Sequence, residues 1–172
     1  MALEHTAAQR FLNHWKSLIV KGLMPSLHDF LGVANPELQP NIIILDVLSA
    51  EQVPIRLMGT GLVQTLGREL TKTNSIDIYD SHLKKRVGAS CMAMVKQPCG
   101  QLTQRMVNTA GGLLVPAFSI ALPLSTKTGV GCIAAFTHTS TPFPSDDSIV
   151  MVKEISFFEW IDIGAGTPRP LT

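Results

Sequence analysis

Three consecutive strand-like runs in the second half of the chain, the last two of them apolar, constrain its fold more than any other feature. They cover residues 101–109, 113–124 and 130–139, and glycine-containing turns at residues 111–112 and 127–129 separate them. Alternating or apolar runs of strand length joined by such short turns are typical of antiparallel strands connected as hairpins. The second half of the chain is therefore predicted to form a three-stranded antiparallel meander.

Two shorter strand-like runs and a helix precede this meander. Residues 41–49 and 53–60 form the runs, and the short stretch between them predicts a hairpin. A helix is predicted to begin at Asp80 or Ser81 and to end before Pro98. Its apolar stripe consists of Leu83, Val87, Cys91, Met94 and Val95. A five-stranded antiparallel sheet with helices on one face gives the α+β class.

The N-terminal segment predicts an amphipathic helix that covers the sheet. A capping box at residues 6–9 marks its start, and Gly22 marks its end. The apolar side of this helix is too large to remain in water, so we expect it to cover the outer face of the sheet, in the same chain or across a dimer. The candidate interface residues are Phe11, Trp15, Leu18 and Ile19.

These elements divide the chain into three parts. Residues 1–24 form the amphipathic helix, residues 25–145 form the sheet domain, and residues 146–172 form a C-terminal strand-like segment and tail. The length of 172 residues fits one domain with short additions.

Charge and composition exclude several classes of function. The chain has 14 basic and 13 acidic residues, so a positively charged surface for nucleic acid is not expected. Its apolar runs are shorter than the roughly 20 residues of a membrane-spanning helix, and its N-terminus lacks the pattern of a signal peptide. The three cysteines have neither disulfide-framework nor zinc-site spacing, which favours a reducing compartment. A cytoplasmic location without nucleic-acid binding or membrane insertion is predicted.

Four sequence blocks carry a resemblance to a known family. They are Ile44-Leu45-Asp46-Val47, Arg56-Leu57-Met58-Gly59-Thr60, Leu66-Gly67-Arg68-Glu69-Leu70-Thr71 and the closing Trp160-Ile161-Asp162-Ile163-Gly164-Ala165-Gly166. With these blocks, residues 25–166 resemble the short, single-domain PAS-like proteins of bacteria, mainly alphaproteobacteria. That family often has a glycine after the threonine of the third block. This chain has Lys72 there, so the turn is expected to differ.

The resemblance implies a PAS-like fold and a non-catalytic sensory or regulatory function. PAS domains commonly act as sensors or protein-interaction modules, although a fold does not by itself establish a function. The implied partners are signalling proteins. A chain with 45% hydrophobic and only 16% charged residues is also expected to reserve surface for another protein or a second copy, so a homodimer is predicted.

A pocket between the sheet and the helices is the predicted place for a small apolar ligand. The alternative is that the same side chains fill the core. Arg68 and Glu69 are expected at the pocket mouth, or else paired with each other or capping the short helices. The candidate ligand-binding residues are Met58, Leu66, Arg68, Tyr79, Cys91, Met94, Phe118, Cys132 and Phe136.

No cofactor or metal is expected. A covalent flavin is essentially excluded, because light-sensing PAS relatives carry a reactive cysteine where this chain has Gly67-Arg68-Glu69-Leu70. Haem-binding PAS domains take an axial histidine from the long helix, but His82 lies at the edge of the apolar stripe and is expected to be solvated. A metal site from Asp77, Asp80 and His82 is disfavoured, since polar residues at a helix start usually act as caps.

The alternative function is a small enzyme that uses the same α+β cavity. Its reactive groups would lie near Tyr79, His82 or His138. The sequence contains no nucleophile elbow, phosphate-binding loop or kinase block to support this alternative.

Overall fold

One sheet and four α-helices account for most of the computed structural model, which describes residues 2–169 and the side chains from residue 6 onwards. The α-helices are Ala2–Ser17 (α1), Leu27–Gly32 (α2), Thr60–Leu66 (α3) and Ser81–Lys96 (α4). Short 3₁₀ helices occupy Gln39–Asn41 and Ser75–Ile78. The strands are Ile42–Val47 (β1), Ile55–Met58 (β2), Cys99–Thr109 (β3), Leu114–Leu124 (β4), Gly131–Thr139 (β5) and Ile149–Asp162 (β6). Within the described part of the chain, no helix has the length and apolar character needed to cross a membrane.

All six strands belong to one antiparallel sheet in the order β2-β1-β5-β4-β3-β6. The predicted meander is confirmed as β3, β4 and β5, each paired with the next. β1 pairs with β5 on one side and with β2 on the other, so the first hairpin lies at one end of the sheet. The α+β class is therefore confirmed.

The sheet has six strands rather than the five that the sequence predicts. β6 pairs with β3 over most of its length and forms an edge of the sheet, which brings much of the segment 146–172 into the fold. Three register shifts interrupt this pairing, and burial along β6 follows no regular alternation. The alternation expected of a half-buried strand is therefore broken, and the sequence predicted a strand-like segment here but not its place in the sheet. Residues 170–172 lie outside the described residues.

Helix α1 covers one face of the sheet within the same chain, which is one of the two arrangements that the sequence left open. Phe11 and Trp15 are fully buried, and the Phe11 ring stacks on Phe136 of β5 with centroids 5.9 Å apart. The helix ends at Ser17 rather than at Gly22. The half-buried side chains of Leu18 and Ile19, which follow it, pack on the same cluster. The predicted interface residues thus belong in part to the core of one chain.

Helices α3 and α4 pack on the opposite face of the sheet. Leu83, Val87, Cys91 and Met94 of α4 are buried there, in agreement with the predicted stripe. Asp80 occupies the N-cap position of α4. The sheet therefore separates two apolar clusters, one under α1 and α2 and the other under α3 and α4.

Lys72 lies in the turn between α3 and the 3₁₀ helix Ser75–Ile78. Its φ of 69° is the left-handed conformation, which glycine adopts without steric cost and other residues rarely adopt. The turn that was expected to differ at Lys72 therefore has a backbone that favours glycine, occupied by a residue with a Cβ atom.

Candidate functional site

A cavity of about 70 Å³ lies between the sheet and the helices α3 and α4. Its walls are mostly aliphatic, and the larger aliphatic side chains are Ile43, Leu45, Ile55, Leu66, Leu70, Ile78, Val87 and Ile133. A buried water needs about 10–15 Å³ of such volume, so the cavity has room for about five waters or for a molecule of about five or six non-hydrogen atoms.

Small residues at the centre of the sheet leave this space. Ala121 of β4 and Ala135 of β5 lie directly opposite each other, and both line the cavity. Because directly opposed side chains in antiparallel strands point to the same face, a larger pair here would extend towards α4 and fill the volume. The cavity therefore follows from the strand sequence itself.

Three alternate residues of β3 place polar side chains on the same face of the sheet. They are Gln101, Thr103 and Arg105, and we call them the polar column. Gln101 and Arg105 line the cavity, and Thr103 lies between them on the strand. The polar column is the main departure from the apolar character of this face.

Two atoms of the polar column are buried and have no hydrogen-bond partner within residues 2–169. They are Oε1 of Gln101 and Oγ1 of Thr103, in side chains of residues that are only 7% and 2% exposed. Leaving a buried polar group unpaired costs about 1–3 kcal/mol, and folded proteins pair almost all such groups with protein atoms or with a bound molecule. A bound molecule beside β3, either a water or a ligand, would supply the missing partners.

Three hydroxyl groups around the cavity already have partners. The Ser119 and Thr137 hydroxyls lie 2.8 Å apart across β4 and β5, and the Ser75 hydroxyl donates to the Val53 carbonyl at 2.7 Å. Among the described residues, the fully buried side-chain atoms without a partner are therefore both on β3.

Arg105 and Tyr79 meet at the side of the cavity. The guanidinium carbon of Arg105 lies 5.7 Å from the centre of the Tyr79 ring, which is within the range of a cation–π contact. In the described structure, neither side chain makes a hydrogen bond or an ion pair. The N–H groups of Arg105 and the hydroxyl of Tyr79 are therefore free for a ligand.

The ionisable neighbours of Arg105 are held in their neutral forms. Burial raises the pKa of the Tyr79 hydroxyl, and burial raises the pKa of the Cys91 thiol to about 11, although the charge of Arg105 acts in the opposite direction on both. Near pH 7 the site therefore combines one cation with neutral hydrogen-bonding groups. Such a set can bind and orient an anion or a polar molecule.

Some of the predicted ligand-binding residues meet at this cavity. Leu66, Tyr79 and Cys91 line it, whereas Met58 and Met94 are buried in the same core without lining it. Arg68, expected at the mouth, is exposed and does not line the cavity. The exposed Glu69 accepts a hydrogen bond from the Thr71 N–H, and hydrogen bonding first to the side chain and then to the backbone of Thr71 lowers the pKa of its carboxyl.

The other three predicted residues lie on the wrong face of the sheet. Phe118, Cys132 and Phe136 pack in the cluster under α1, with the sheet between them and the cavity. Both faces of β4 and β5 are apolar, so the sequence does not show which set of alternate residues faces which helices. The prediction for these three residues is therefore corrected by the register.

The histidines of the haem and enzyme hypotheses lie away from the cavity. His82 is on the surface with a 64% exposed side chain, and its Nδ1 is 3.1 Å from Oδ1 of Asp80. His138 lies opposite Phe118, on the face that α1 covers. Tyr79, His82 and His138 are therefore not brought together. In the described residues, no group of three or more His, Cys, Asp or Glu side chains is placed to hold a metal ion.

The polar column was missed because its sequence signal is weak. Along residues 101–109 polar side chains occur at even as well as odd positions, so the sequence does not indicate which alternate positions face the core. Only the pairing of β3 with both β4 and β6 shows that Gln101, Thr103 and Arg105 face the helices.

Comparison with known proteins adds no assignment. No family model matches the chain, and no curated protein matches it significantly. Function is therefore inferred from the cavity and the polar column.

Proposed function

We propose that this protein is a non-catalytic sensory or regulatory module of the PAS type, which binds a small ligand in its cavity and acts through contacts with other proteins. The observation that carries the proposal is the pair of buried, unpaired atoms, Gln101 Oε1 and Thr103 Oγ1, in the polar column beside the cavity. A ligand that donates a hydrogen bond to Gln101, which lines the cavity, offsets the cost of burying that oxygen.

The PAS assignment within this proposal is supported by architecture and by sequence blocks. An antiparallel sheet with helices packed over one face is compatible with a PAS-like fold, and β6 is an addition to the five strands expected. The blocks at residues 44–47 and 66–71 contribute Leu45, Leu66 and Leu70 to the cavity wall, whereas the blocks at residues 56–60 and 160–166 do not line it. The resemblance to the alphaproteobacterial single-domain family thus includes part of the chain that builds the site.

The proposed mechanism is a shift of population between two packings of the helices on the sheet. A ligand that contacts both the polar column and α4 binds better to the packing in which these elements are close, and so increases its share. Val87 and Cys91 are the residues through which α4 reaches the cavity. A partner protein that distinguishes the two packings would receive the signal.

The proposal also names partners and a location. The partners are signalling proteins and a second copy of the chain, and the location is the cytoplasm. Exposed apolar side chains at Leu31, Val33 and Leu57 lie together around a surface groove, which supports a protein contact. Light scattering of the full chain over a range of concentrations tests the homodimer. A monomer mass at every concentration contradicts that part of the proposal.

Native mass spectrometry of the purified full chain tests ligand binding. We expect a small added mass after incubation with a library of small metabolites, released on denaturation without chemical change. In Ala121→Leu the larger side chain fills the cavity, and the added mass should disappear. Exposed Val150 offers the control, because Val150→Leu lies on the surface of β6 and should leave binding unchanged.

Absence of a bound ligand would contradict the proposal. If neither the wild-type chain nor Ala121→Leu retains any added mass, and Ala121→Leu is the more stable protein, the cavity is a packing defect and the proposal is wrong. Release of a chemically altered molecule would favour the enzyme alternative instead.

A further inference from the structure

Arg105 is the cation of the cavity, and no counter-ion accompanies it there. The lining residues include no Asp or Glu, and Arg105 is their only Lys, Arg or His. Arg105 is a half-buried residue, and among the described residues its guanidinium contacts the Tyr79 ring without a hydrogen bond or an ion pair. A partly buried charge is unfavourable unless an opposite charge or hydrogen-bond acceptors compensate it.

We propose that the ligand of this cavity is a small monocarboxylate, with its carboxylate paired to Arg105 and its short chain against the Ala121–Ala135 pair. This inference rests on the proposed ligand-binding function and names the class of ligand. A guanidinium presents parallel N–H donors that match the two oxygens of a carboxylate, and such charge-assisted pairs are stronger than neutral hydrogen bonds.

The apolar walls favour a carboxylate over an inorganic anion. Phosphate or sulfate would fit by size, but its remaining oxygens would face aliphatic side chains such as Leu45 and Ile133 without partners. A carboxylic acid instead places its polar end at Arg105 and its methyl or methylene groups against those walls. The geometry therefore selects an anion with an apolar end.

The single cation also limits the ligand to one charge. A dicarboxylate would bury a second carboxylate with no cation among the lining residues to pair with it. The unpaired Oε1 of Gln101 can accept a hydrogen bond from a hydroxyl group on the chain of the ligand. Propionate, lactate and pyruvate are accordingly suitable probes, and succinate, phosphate and the neutral propionamide are the discriminating ones.

Calorimetric titration of the full chain with these probes tests the proposal. We expect the three monocarboxylates to bind, and propionamide, phosphate and succinate to bind at least tenfold more weakly. Arg105→Gln should lower the affinity for propionate at least tenfold, and Arg105→Lys should retain part of it because the charge remains. Arg68→Gln is the matched control, since Arg68 is exposed and outside the cavity.

The Cys91 thiol gives a second readout that does not depend on any variant. Cys91 lines the cavity, whereas the buried Cys99 does not. Bound propionate should slow alkylation of Cys91 more than that of Cys99, and peptide mass spectrometry separates the two rates. This measurement still tests whether propionate binds in the cavity if Arg105→Gln does not fold.

Three results would overturn the proposal. Propionamide or phosphate binding as tightly as propionate, unchanged propionate affinity in a folded Arg105→Gln, or absence of both heat and Cys91 protection with every monocarboxylate each contradicts it. The ligand-binding function fails separately, only if native mass spectrometry with the metabolite library also finds no bound mass. A bound neutral metabolite would keep the cavity as a ligand site and refute the carboxylate.

Discussion

The indole N–H of Trp15 donates a hydrogen bond to the main-chain carbonyl of Pro123, 3.0 Å away, and so joins α1 to β4. Trp15 is fully buried, so its ring is removed from water while its N–H keeps a hydrogen-bond partner. Pro123 has no N–H of its own, but its carbonyl remains available at a place where β4 faces the helix. This contact anchors the covering helix at a defined position on the sheet.

Replacing Trp15 separates the contribution of the hydrogen bond from that of burial. Trp15→Phe keeps most of the apolar contact, but it removes the donor and should lower the free energy of unfolding by about 1–2 kcal/mol. Trp15→Ala should cost about 3–5 kcal/mol because it also leaves a cavity. Urea denaturation measures both values. Val20→Ala is the control, since Val20 is 86% exposed, and equal losses in all three variants would contradict the packing described for α1.

A glycine at position 72 should make the protein more stable. Lys72 has a φ of 69°, and a left-handed conformation costs a residue with a Cβ atom about 1 kcal/mol relative to glycine. The greater freedom of glycine in the unfolded chain offsets part of this gain, so Lys72→Gly should raise the free energy of unfolding by about 0.5 kcal/mol. Thermal unfolding measures the change. Lys72→Ala keeps the Cβ atom and should show no such gain in stability. An equal gain in both variants would mean that removal of the lysine side chain, and not relief of the left-handed backbone, stabilises the protein.

A methyl group at Gly88 should strongly destabilise the fold. A Cβ atom at this position of α4 would lie 1.7 Å from the carbonyl oxygen of Ala50, so the loop between β1 and β2 or the helix would have to move. We expect Gly88→Ala to cost about 2 kcal/mol or more, despite the better helix propensity of alanine. Gly32→Ala, also helical but with nothing within 4 Å of the added atom, should be nearly neutral. A stable Gly88→Ala would mean that α4 lies further from this loop than described.

Asp147 should make stability depend on acid pH. Its carboxylate accepts hydrogen bonds from the Thr109 hydroxyl and from the Gly111 and Ser148 N–H groups, and these bonds hold its pKa below the ordinary value of 3.8. A carboxyl whose pKa is lower in the folded state stabilises the fold fully above its unfolded pKa and loses this effect as pH falls through the folded value.

The measurement is the difference in unfolding free energy between wild type and Asp147→Asn, in which the other carboxyl groups cancel. This difference should be constant from pH 7 to about pH 5 and should shrink below pH 4, as the wild-type carboxyl is protonated. A difference that grows on acidification would contradict the hydrogen bonds assigned to Asp147.

The sequence predicted best where local pattern and turn chemistry agree. Residues 101–139 show strand-like runs separated by glycine turns, and the meander β3–β5 follows them closely. Helix α4 was predicted equally well, because its buried residues recur at helical spacing and Asp80 precedes it. In both cases the signal lies within a few neighbouring residues.

The features that the sequence did not predict depend on pairing between strands that are far apart in the chain. The pairing partner of β6 is β3, and the register shifts between them leave no simple alternation in the β6 sequence. The assignment of Phe118, Cys132 and Phe136 to the wrong face has a related cause, since both faces of β4 and β5 are buried by helices. A fully buried strand reads as a continuous apolar run, in which alternate positions cannot be told apart.

Ile120 and Ala121 are neighbours in β4, and their side chains lie on opposite faces of the sheet. Ala121 lines the cavity, and Ile120 packs in the cluster under α1. In a closely packed interior, a displacement of the main chain at one residue moves the adjoining side chain as well. Any adjustment of β4 around the cavity thus alters the surface on which α1 rests, so the two faces are mechanically linked across the width of a single peptide unit.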